Sequence, residues 1–130
     1  MFSSGMGLNA QITGFWQVPD EHDGEIKSIV EIYEEDNKYH GRVSQVLETS
    51  KNTHCKKCEW GLKDKPIEGM RILYDLTKTK DGGEDGKVIN PGTGKVYSCY
   101  IELESQNKLK LRGYLGVPAL GTSIYWSRVE

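Results

Sequence analysis

The chain has 130 residues, of which 28% are charged, and its formal net charge is −2. This length can bury one hydrophobic core but not two, so the sequence predicts a single domain. Because the cationic residues are spread along a slightly acidic chain, a nucleic-acid partner is not expected. The 15 glycines and 7 tyrosines are typical of an all-β protein, in which tight turns need glycine and pleated surfaces favour aromatic residues.

The first ten residues differ in pattern from the rest of the chain. Their side chains carry no charge, and Leu8-Asn9-Ala10 before Gln11 resembles the end of a secretory signal cleaved after Ala10. A complete signal also has a basic segment and a longer apolar segment, which these residues do not contain. We interpret residues 1–10 as a signal-peptide remnant, with the disordered N-terminus of a cytosolic protein as the alternative. The corresponding location is periplasmic or secreted.

Residues 11–130 are predicted to form one domain of short strands. No apolar run is long enough for a transmembrane segment. Alternation of apolar and polar residues predicts about eight strands, at Ile12–Val18, Ile26–Glu34, Lys38–Leu47, Glu68–Tyr74, Lys87–Ile89, Lys95–Glu104, Lys108–Leu115 and Ser123–Val129. Turn-forming residues separate them, at Asp36-Asn37, Asp81-Gly82-Gly83, Asn90–Gly94 and Gln106-Asn107. The pattern predicts a single antiparallel up-and-down β-barrel, whose interior holds side chains or one small ligand.

Trp16 and Arg128 are predicted to seal this barrel. If the first and last strands pair antiparallel, the start of one lies beside the end of the other, which brings the indole ring within reach of the guanidinium. We expect both residues to determine the fold rather than to act on a substrate.

The predicted strand Lys95–Glu104 has a clear apolar face, which includes Cys99, Ile101 and Leu103. Cys99 is therefore expected to be a buried free thiol, and pairing with a loop cysteine is the alternative. In the next strand Gly113 falls on the apolar side, where the missing side chain allows a sharp bend or leaves space inside the barrel.

The long connection from Glu48 to Pro66 contains Cys55 and Cys58 at C-x-x-C spacing. A local disulfide is the simplest interpretation in an exported protein. A thiol redox centre would need the pair at the start of a helix, and Trp60-Gly61 argues against that helix. Zinc held by His54, Cys55, Cys58 and Cys99 is the third possibility.

No other cluster of residues indicates chemistry. Neither His22 nor His40 lies in a recognisable catalytic or metal-binding motif. Asp20, Glu21 and Asp23 around His22 are interpreted as a solvated turn, and the acidic stretch 81–86 lacks the spacing of an EF-hand loop. The sequence therefore predicts neither an enzyme nor a bound metal or cofactor.

Seven segments resemble, in order, the bacterial domain-of-unknown-function family 2147. They are Gly14-Phe15-Trp16, Tyr39–Val43, Cys55–Cys58, Pro66–Leu73, Ile89–Tyr97, Leu109–Gly116 and Trp126-Ser127-Arg128. The resemblance implies a small exported protein with a lipocalin-like barrel, and it implies no particular activity. Members commonly carry Gly-Arg-Thr before the final strand, whereas this chain has Gly121-Thr122-Ser123. Any anion contact made by that arginine is not expected here.

The function expected from this fold is non-catalytic binding of a small apolar or amphipathic ligand. Candidate lining residues are adaptable apolar side chains: Tyr33, Tyr39, Met70, Tyr97, Tyr114 and Trp126. The ligand is expected at the barrel mouth opposite Trp16, bordered by the Glu48–Pro66 loop and Gly116–Gly121. The alternative is an envelope or secreted interaction module, with a packed barrel and the Cys55 loop as its working surface. The sequence does not predict an oligomeric state.

Overall fold

A computed structural model describes residues 11–20, 22–47, 50 and 53–129. The expectation for residues 1–10 lies outside this part of the chain. The described residues form an all-β domain whose eight strands close into one barrel. The strands are β1 Gly14–Pro19, β2 Ile26–Glu35, β3 Lys38–Val46, β4 Arg71–Lys78, β5 Gly82–Ile89, β6 Val96–Ser105, β7 Lys108–Tyr114 and β8 Thr122–Arg128. A short 3-10 helix at Pro118–Leu120 precedes β8. No helix in the described part is long and apolar enough to cross a membrane.

Each strand pairs antiparallel with its neighbour in sequence, and β8 pairs with β1 to close the barrel. The predicted up-and-down barrel is thereby confirmed. At the closing seam Trp16 lies opposite Arg128, and Gln17 lies opposite Ser127. The two-residue turn at Asp36-Asn37 has positive φ angles of 54° and 64°, as a tight hairpin between twisted strands requires.

The antiparallel order gives the barrel two distinct ends. The chain enters β1 and leaves β8 at one end, which we call the closed end, together with the β2–β3, β4–β5 and β6–β7 turns. The β1–β2, β3–β4, β5–β6 and β7–β8 connections lie at the other end, which we call the mouth. The mouth therefore carries the long connection between Val46 and Arg71.

Two predicted strands need correction. β4 was expected at Glu68–Tyr74 but occupies Arg71–Lys78, and β5 was expected only at Lys87–Ile89 but occupies Gly82–Ile89. Gly82 and Gly83, expected in a turn, thus begin a strand.

Glycine is needed in β5 because its neighbours approach too closely for a side chain. A Cβ at Gly82 would lie 1.9 Å from the carbonyl oxygen of Ile101, and one at Gly86 would lie 2.6 Å from the side chain of Leu76. The glycines of β5 therefore mark close packing inside a strand, a use that differs from their common role in turns.

The core is formed by the inward faces of all eight strands. Its fully buried members include Trp16, Val30, Ile32, Leu73, Leu76, Ile101 and Leu109. This inward set follows the period-two alternation of the sequence, with one side of each strand in the core.

Candidate functional site

Trp16 plugs the closed end of the barrel. Its side chain is fully buried, and its Nε1 donates a hydrogen bond to the Ile12 carbonyl at 2.9 Å. The guanidinium carbon of Arg128 lies 4.3 Å from the centre of the indole ring, within cation–π range. Arg128 also donates from Nε to the Gln106 carbonyl at 2.8 Å and from Nη1 to the Thr13 carbonyl at 3.4 Å. The contacts of Trp16 and Arg128 thus link β1 to β8.

Gly14 makes room for this arrangement. Its φ angle is +128°, a conformation that side-chain-bearing residues rarely adopt, and a Cβ there would lie 3.3 Å from Arg128 Nη1. Both Gly14 and Trp16 are therefore explained by their packing against Arg128.

The mouth contains a cavity of about 600 Å³. We call it the mouth cavity, and it is lined by residues of all eight strands and of the mouth connections. They are Val18, Pro19, Asp20, Asp23, Lys27, Ser28, Val46, Ser50, Ile67, Ile72, Val88, Ile89, Asn90, Pro91, Gly92, Tyr97, Leu111, Gly113, Thr122, Ile124 and Trp126. Its wall combines aliphatic side chains with polar ones such as Ser28, Asn90 and Thr122, which suits a mainly apolar or amphipathic molecule.

Gly113 contributes open space to this cavity. A Cβ at this position would meet nothing closer than the Cβ of Tyr97 at 3.7 Å, an ordinary contact distance. The absence of a side chain at Gly113 is thus not required by close packing, unlike the glycines of β5. It leaves volume inside the barrel, one of the two possibilities that the sequence raised.

The rim of the mouth cavity carries charge on the β1–β2 connection and the start of β2. Lys27 Nζ lies 3.3 Å from an oxygen of Asp23 and 3.5 Å from an oxygen of Glu25. Asp20 Oδ1 accepts hydrogen bonds from the backbone N–H groups of His22 and Asp23, which lower the pKa of Asp20. Two carboxylates and one ammonium group therefore line the rim, and the formal charges of these three side chains sum to −1.

Trp126 lies at the floor of the mouth cavity. It precedes Arg128 by two residues on β8, so it is the next inward side chain above the closed end, and it lies opposite Leu109 of β7. Its side chain is only 2% exposed. Its indole Nε1 has no hydrogen-bond partner, the one such buried side-chain nitrogen or oxygen in the part of the chain described.

With this geometry established, comparison with known proteins places the chain. A family model described as "Uncharacterized protein conserved in bacteria (DUF2147)" matches residues 14–128. The chain belongs to the DUF2147 family. No curated protein matches its sequence.

A solved structure similar to this DUF2147 chain is "Protein HP1028 from the human pathogen Helicobacter pylori belongs to the lipocalin family". The two share 24% identity with a TM-score of 0.80, over 92% of this chain and 84% of that chain. At this identity the likeness shows the fold, which is a lipocalin-like barrel.

The structure separates the six residues that the sequence proposed as ligand-lining. Tyr97 and Trp126 line the mouth cavity. The other four do not line it: Tyr33, Tyr39, Met70 and Tyr114. Tyr39 is the second residue of β3, at the closed end, where its ring packs beside Gly83.

The other three residues are held in different surroundings. Tyr33 stacks on His40 at 5.8 Å between ring centres and lies under the Arg42 guanidinium at 4.8 Å. Met70 is buried in the core before β4. Tyr114 lines a separate groove together with Pro118. A tyrosine suits either face of a strand, so composition alone does not locate it.

The expected disulfide joins Cys55 and Cys58, whose Cα atoms are 5.5 Å apart. The stapled loop packs against the β5–β6 connection: Cys55 Sγ lies 3.3 Å from the Pro91 carbonyl oxygen, and a Cβ at Gly94 would lie 2.0 Å from the Lys57 carbonyl oxygen. Bonded sulfurs are not thiolate ligands, so this state does not match the zinc alternative, and no helix starts at the pair as a thioredoxin-type centre requires.

Cys99 is a free, fully buried thiol on the inner face of β6, between Gly86 and Gly113 of the flanking strands. Burial raises the pKa of Cys99 from its ordinary value of 9.0 to about 12. The thiol is therefore protonated and unreactive at neutral pH.

Sequence reasoning missed two features of the site. Asp20 and Asp23 were interpreted only as a solvated turn, and Lys27 lay within the predicted strand Ile26–Glu34 without a role of its own. The β1–β2 hairpin brings all three to the rim, and the signal for this was their position at the mouth end of a predicted hairpin. The segment Gly116–Gly121 lies at the mouth as expected, but its Val117 and Leu120 are 53% and 79% exposed and do not line the cavity.

Proposed function

We propose that this protein binds a small apolar or amphipathic molecule in the mouth cavity and does not transform it. The observation that carries the proposal is the cavity itself. Its volume of about 600 Å³ falls within the range of roughly 300–1,000 Å³ usual for small-molecule sites. A barrel that served only as a scaffold would be expected to fill this space with side chains, because protein interiors are close-packed.

The lining supports binding rather than catalysis. Val18, Ile72, Val88, Leu111 and Ile124 supply aliphatic surface from five strands. The charged side chains among the lining residues stand at the rim. There they are engaged with one another or with backbone groups, an arrangement without a nucleophile activated by a base.

Export is part of the proposal. The Cys55–Cys58 disulfide is of a kind that persists in oxidising compartments, and the residues before Gln11 resemble a cleaved signal. We place the working protein in the periplasm or outside the cell.

A second candidate is an interaction module that uses the disulfide loop. It is favoured by Trp60, which is 57% exposed and meets Tyr74 edge to face at 5.7 Å between ring centres. Exposed tryptophans are common anchors of protein interfaces. This candidate does not account for the mouth cavity, so we rank it second.

A cavity-filling substitution tests the leading proposal. Gly113→Leu places a side chain in the open space, where the first carbon meets Tyr97 only at an ordinary contact distance. Binding of the fluorescent apolar probe N-phenylnaphthylamine should fall at least about tenfold, because four added carbons compete for the same volume. The thermal midpoint reports whether the variant is folded.

Gln45→Leu is the matched control, because it adds an apolar side chain at an exposed position of β3. It should bind the probe as the natural protein does. Equal probe binding by the folded Gly113→Leu variant, or no binding by the natural protein, would contradict a ligand site in the mouth cavity.

A further inference from the structure

A second depression lies on the outer wall of the barrel. We call it the outer groove, and it is lined by residues of the β4–β5 turn, of β5, β6 and β7, and of the 3-10 helix. Tyr100 and Glu102 of β6 line it, and they alternate with the buried Cys99 and Ile101, so they face outward. Its volume of about 420 Å³ is within the range of small-molecule sites.

The outer groove is acidic. Four carboxylates line it, those of Asp81, Glu84, Asp85 and Glu102, together with the ammonium group of Lys80, and their formal charges sum to −3. Within the described residues none of these four carboxylates makes an ion pair, whereas each of the three glutamates of β2 is paired with a cation from β3 or β4. The groove therefore holds negative charge that the fold does not neutralise by direct pairing.

Lys110 of β7 stands beside the groove. Its Nζ lies 5.5 Å from the centre of the Tyr100 ring, and it makes no ion pair in the part of the chain that the structure describes. When Lys110 is added to the lining side chains, their formal charges still sum to −2. The surroundings of the groove thus attract a further cation.

Tyr114 contributes a polar atom to the same groove. It follows Gly113, which lines the mouth cavity, so its side chain turns to the outer wall, where it lines the groove and is only 9% exposed. Its hydroxyl has no hydrogen-bond partner among the described residues, and it is not sealed off, because the fully enclosed unpartnered side-chain atom there belongs to Trp126. Burial and then the Asp85 carboxylate raise the pKa of Tyr114. The hydroxyl is therefore a neutral acceptor near a carboxylate.

The polar groups lie towards two ends of the groove. On β6, Glu102 is paired in register with the residue that follows Asp81, and Ser98 is paired with Tyr114. Ser98 and Glu102 are four residues apart, which is roughly 13 Å along the wall at about 3.3 Å per residue. Tyr100 lies between them on the same face. No group of three His, Cys, Asp or Glu side chains in the described part could hold a metal ion, so the carboxylates suit an extended cation.

We propose that the outer groove binds a linear polyamine, with one ammonium group held by Tyr114 and Asp85 and another by Asp81 and Glu102. An ammonium group donates three hydrogen bonds, and a neutral hydroxyl and carboxylate oxygens are suitable acceptors. The alkyl chain between the two ammonium groups lies along Tyr100. This site is separate from the mouth cavity, and it does not depend on the ligand of that cavity.

Titration calorimetry at low salt with three probes tests the proposal. Diaminooctane has ammonium groups at both ends of an eight-carbon chain, octanediol has hydroxyls at the same positions, and diaminobutane is shorter. Diaminooctane should bind at least about tenfold more tightly than octanediol, because hydrogen bonds between charged groups are stronger than neutral ones. It should also bind more tightly than diaminobutane, which is too short to reach both ends, and its affinity should fall as salt is added.

The Tyr114→Phe variant removes the hydroxyl and keeps the ring. Its affinity for diaminooctane should fall about tenfold, the effect of one lost hydrogen bond to a charged group. Tyr125→Phe is the matched control, because it makes the same substitution at a tyrosine of β8 that does not line the groove, and it should bind as the natural protein does. The thermal midpoint shows whether each variant is folded.

Asp85→Asn tests the charge at the same end. It should weaken diaminooctane binding about fivefold, because one of the two partners of that ammonium group loses its charge. Asp64→Asn is the matched control, since both aspartates are exposed and their φ angles are 60° and 63°, but Asp64 does not line the groove.

Equal binding of diaminooctane and octanediol would overturn the proposal, as would unchanged diaminooctane binding by folded Tyr114→Phe. Tighter binding of calcium than of diaminooctane would show a simple cation site instead. Tighter binding of a tetralysine peptide than of diaminooctane would assign the groove to a protein partner and would also overturn it. Binding of N-phenylnaphthylamine in the mouth cavity is measured separately, so none of these results bears on the proposed function.

Discussion

Replacement of Trp16 with alanine is expected to remove a large part of the stability of the barrel. The indole is fully buried, so its loss leaves a hole at the closed end and costs about 3–5 kcal/mol, the usual range for Trp→Ala in a core. The substitution also removes the hydrogen bond to Ile12 and the ring under Arg128. Because domains of this size are stable by roughly 5–15 kcal/mol, the loss is a substantial fraction of the total.

Urea denaturation followed by circular dichroism measures this loss. A decrease of this size should lower the thermal midpoint by roughly 10–20 °C in a domain of this length. Trp60→Ala is the control, since it truncates an indole that is 57% exposed and should change stability by much less.

Trp16→Phe refines the test if the alanine variant does not fold. The ring that faces Arg128 remains while the hydrogen bond to Ile12 is lost, so a smaller decrease is expected, of about 1–2 kcal/mol. If Trp16→Ala unfolds at the same urea concentration as the natural protein, Trp16 is not the plug of the closed end and the reasoning fails.

Three further predictions concern other parts of the chain. Since folding raises the pKa of Cys99 from 9.0 to about 12, the stability due to its protonated form is present below pH 9 and is lost as the pH rises towards 12. Over that window the free energy of unfolding should fall by up to about 1.4 kcal/mol per pH unit on account of Cys99. The urea midpoint of Cys99→Ala should therefore fall less steeply with pH than that of the natural protein, and parallel plots of midpoint against pH would refute the burial argument. Gly94→Ala should be more destabilising in urea than Gly24→Ala, because both have positive φ angles near 75° but only Gly94 lies against the Lys57 carbonyl; equal losses would contradict the packing of the disulfide loop. N-terminal sequencing of protein from its native host should give Gln11 as the first residue of an exported chain, whereas an intact Met1 chain in the cytosolic fraction would exclude cleavage there.

The barrel itself could be predicted from the sequence because its signals are local or lie at the seam. The Asp36-Asn37 turn separates two alternating strands, and both residues adopt the positive φ angles of such turns. Closure could be anticipated because Trp16 and Arg128 fall at matching positions in the first and last strands, and they are register partners.

The start of β5 could not be predicted from the same signals. Gly82 and Gly83 look like turn residues in the sequence. Only the structure shows that Ile101 and Leu76 pack too closely against this part of β5 for a side chain at either position. Those contacts join residues far apart in sequence, and local propensity does not report them.

The candidate site could be predicted only in part from the sequence, for a related reason. Alternation shows which residues share a face, but it does not show how far along the barrel they lie or whether facing side chains meet across it. Tyr97 and Trp126 fall at the mouth cavity, while Tyr39, on the same inward side, falls at the closed end. Bulges such as the one between Ile29 and Val30 also shift register in a way that a period of two does not reveal.

The most direct test of a ligand-binding barrel is native mass spectrometry of protein purified from its own host. The account predicts a chain with one bound small molecule, which is released on denaturation, is apolar or amphipathic, and is missing from the Gly113→Leu variant but present in Gln45→Leu. A bare chain mass for the natural protein, with no molecule recovered by extraction and no binding of N-phenylnaphthylamine, would contradict it.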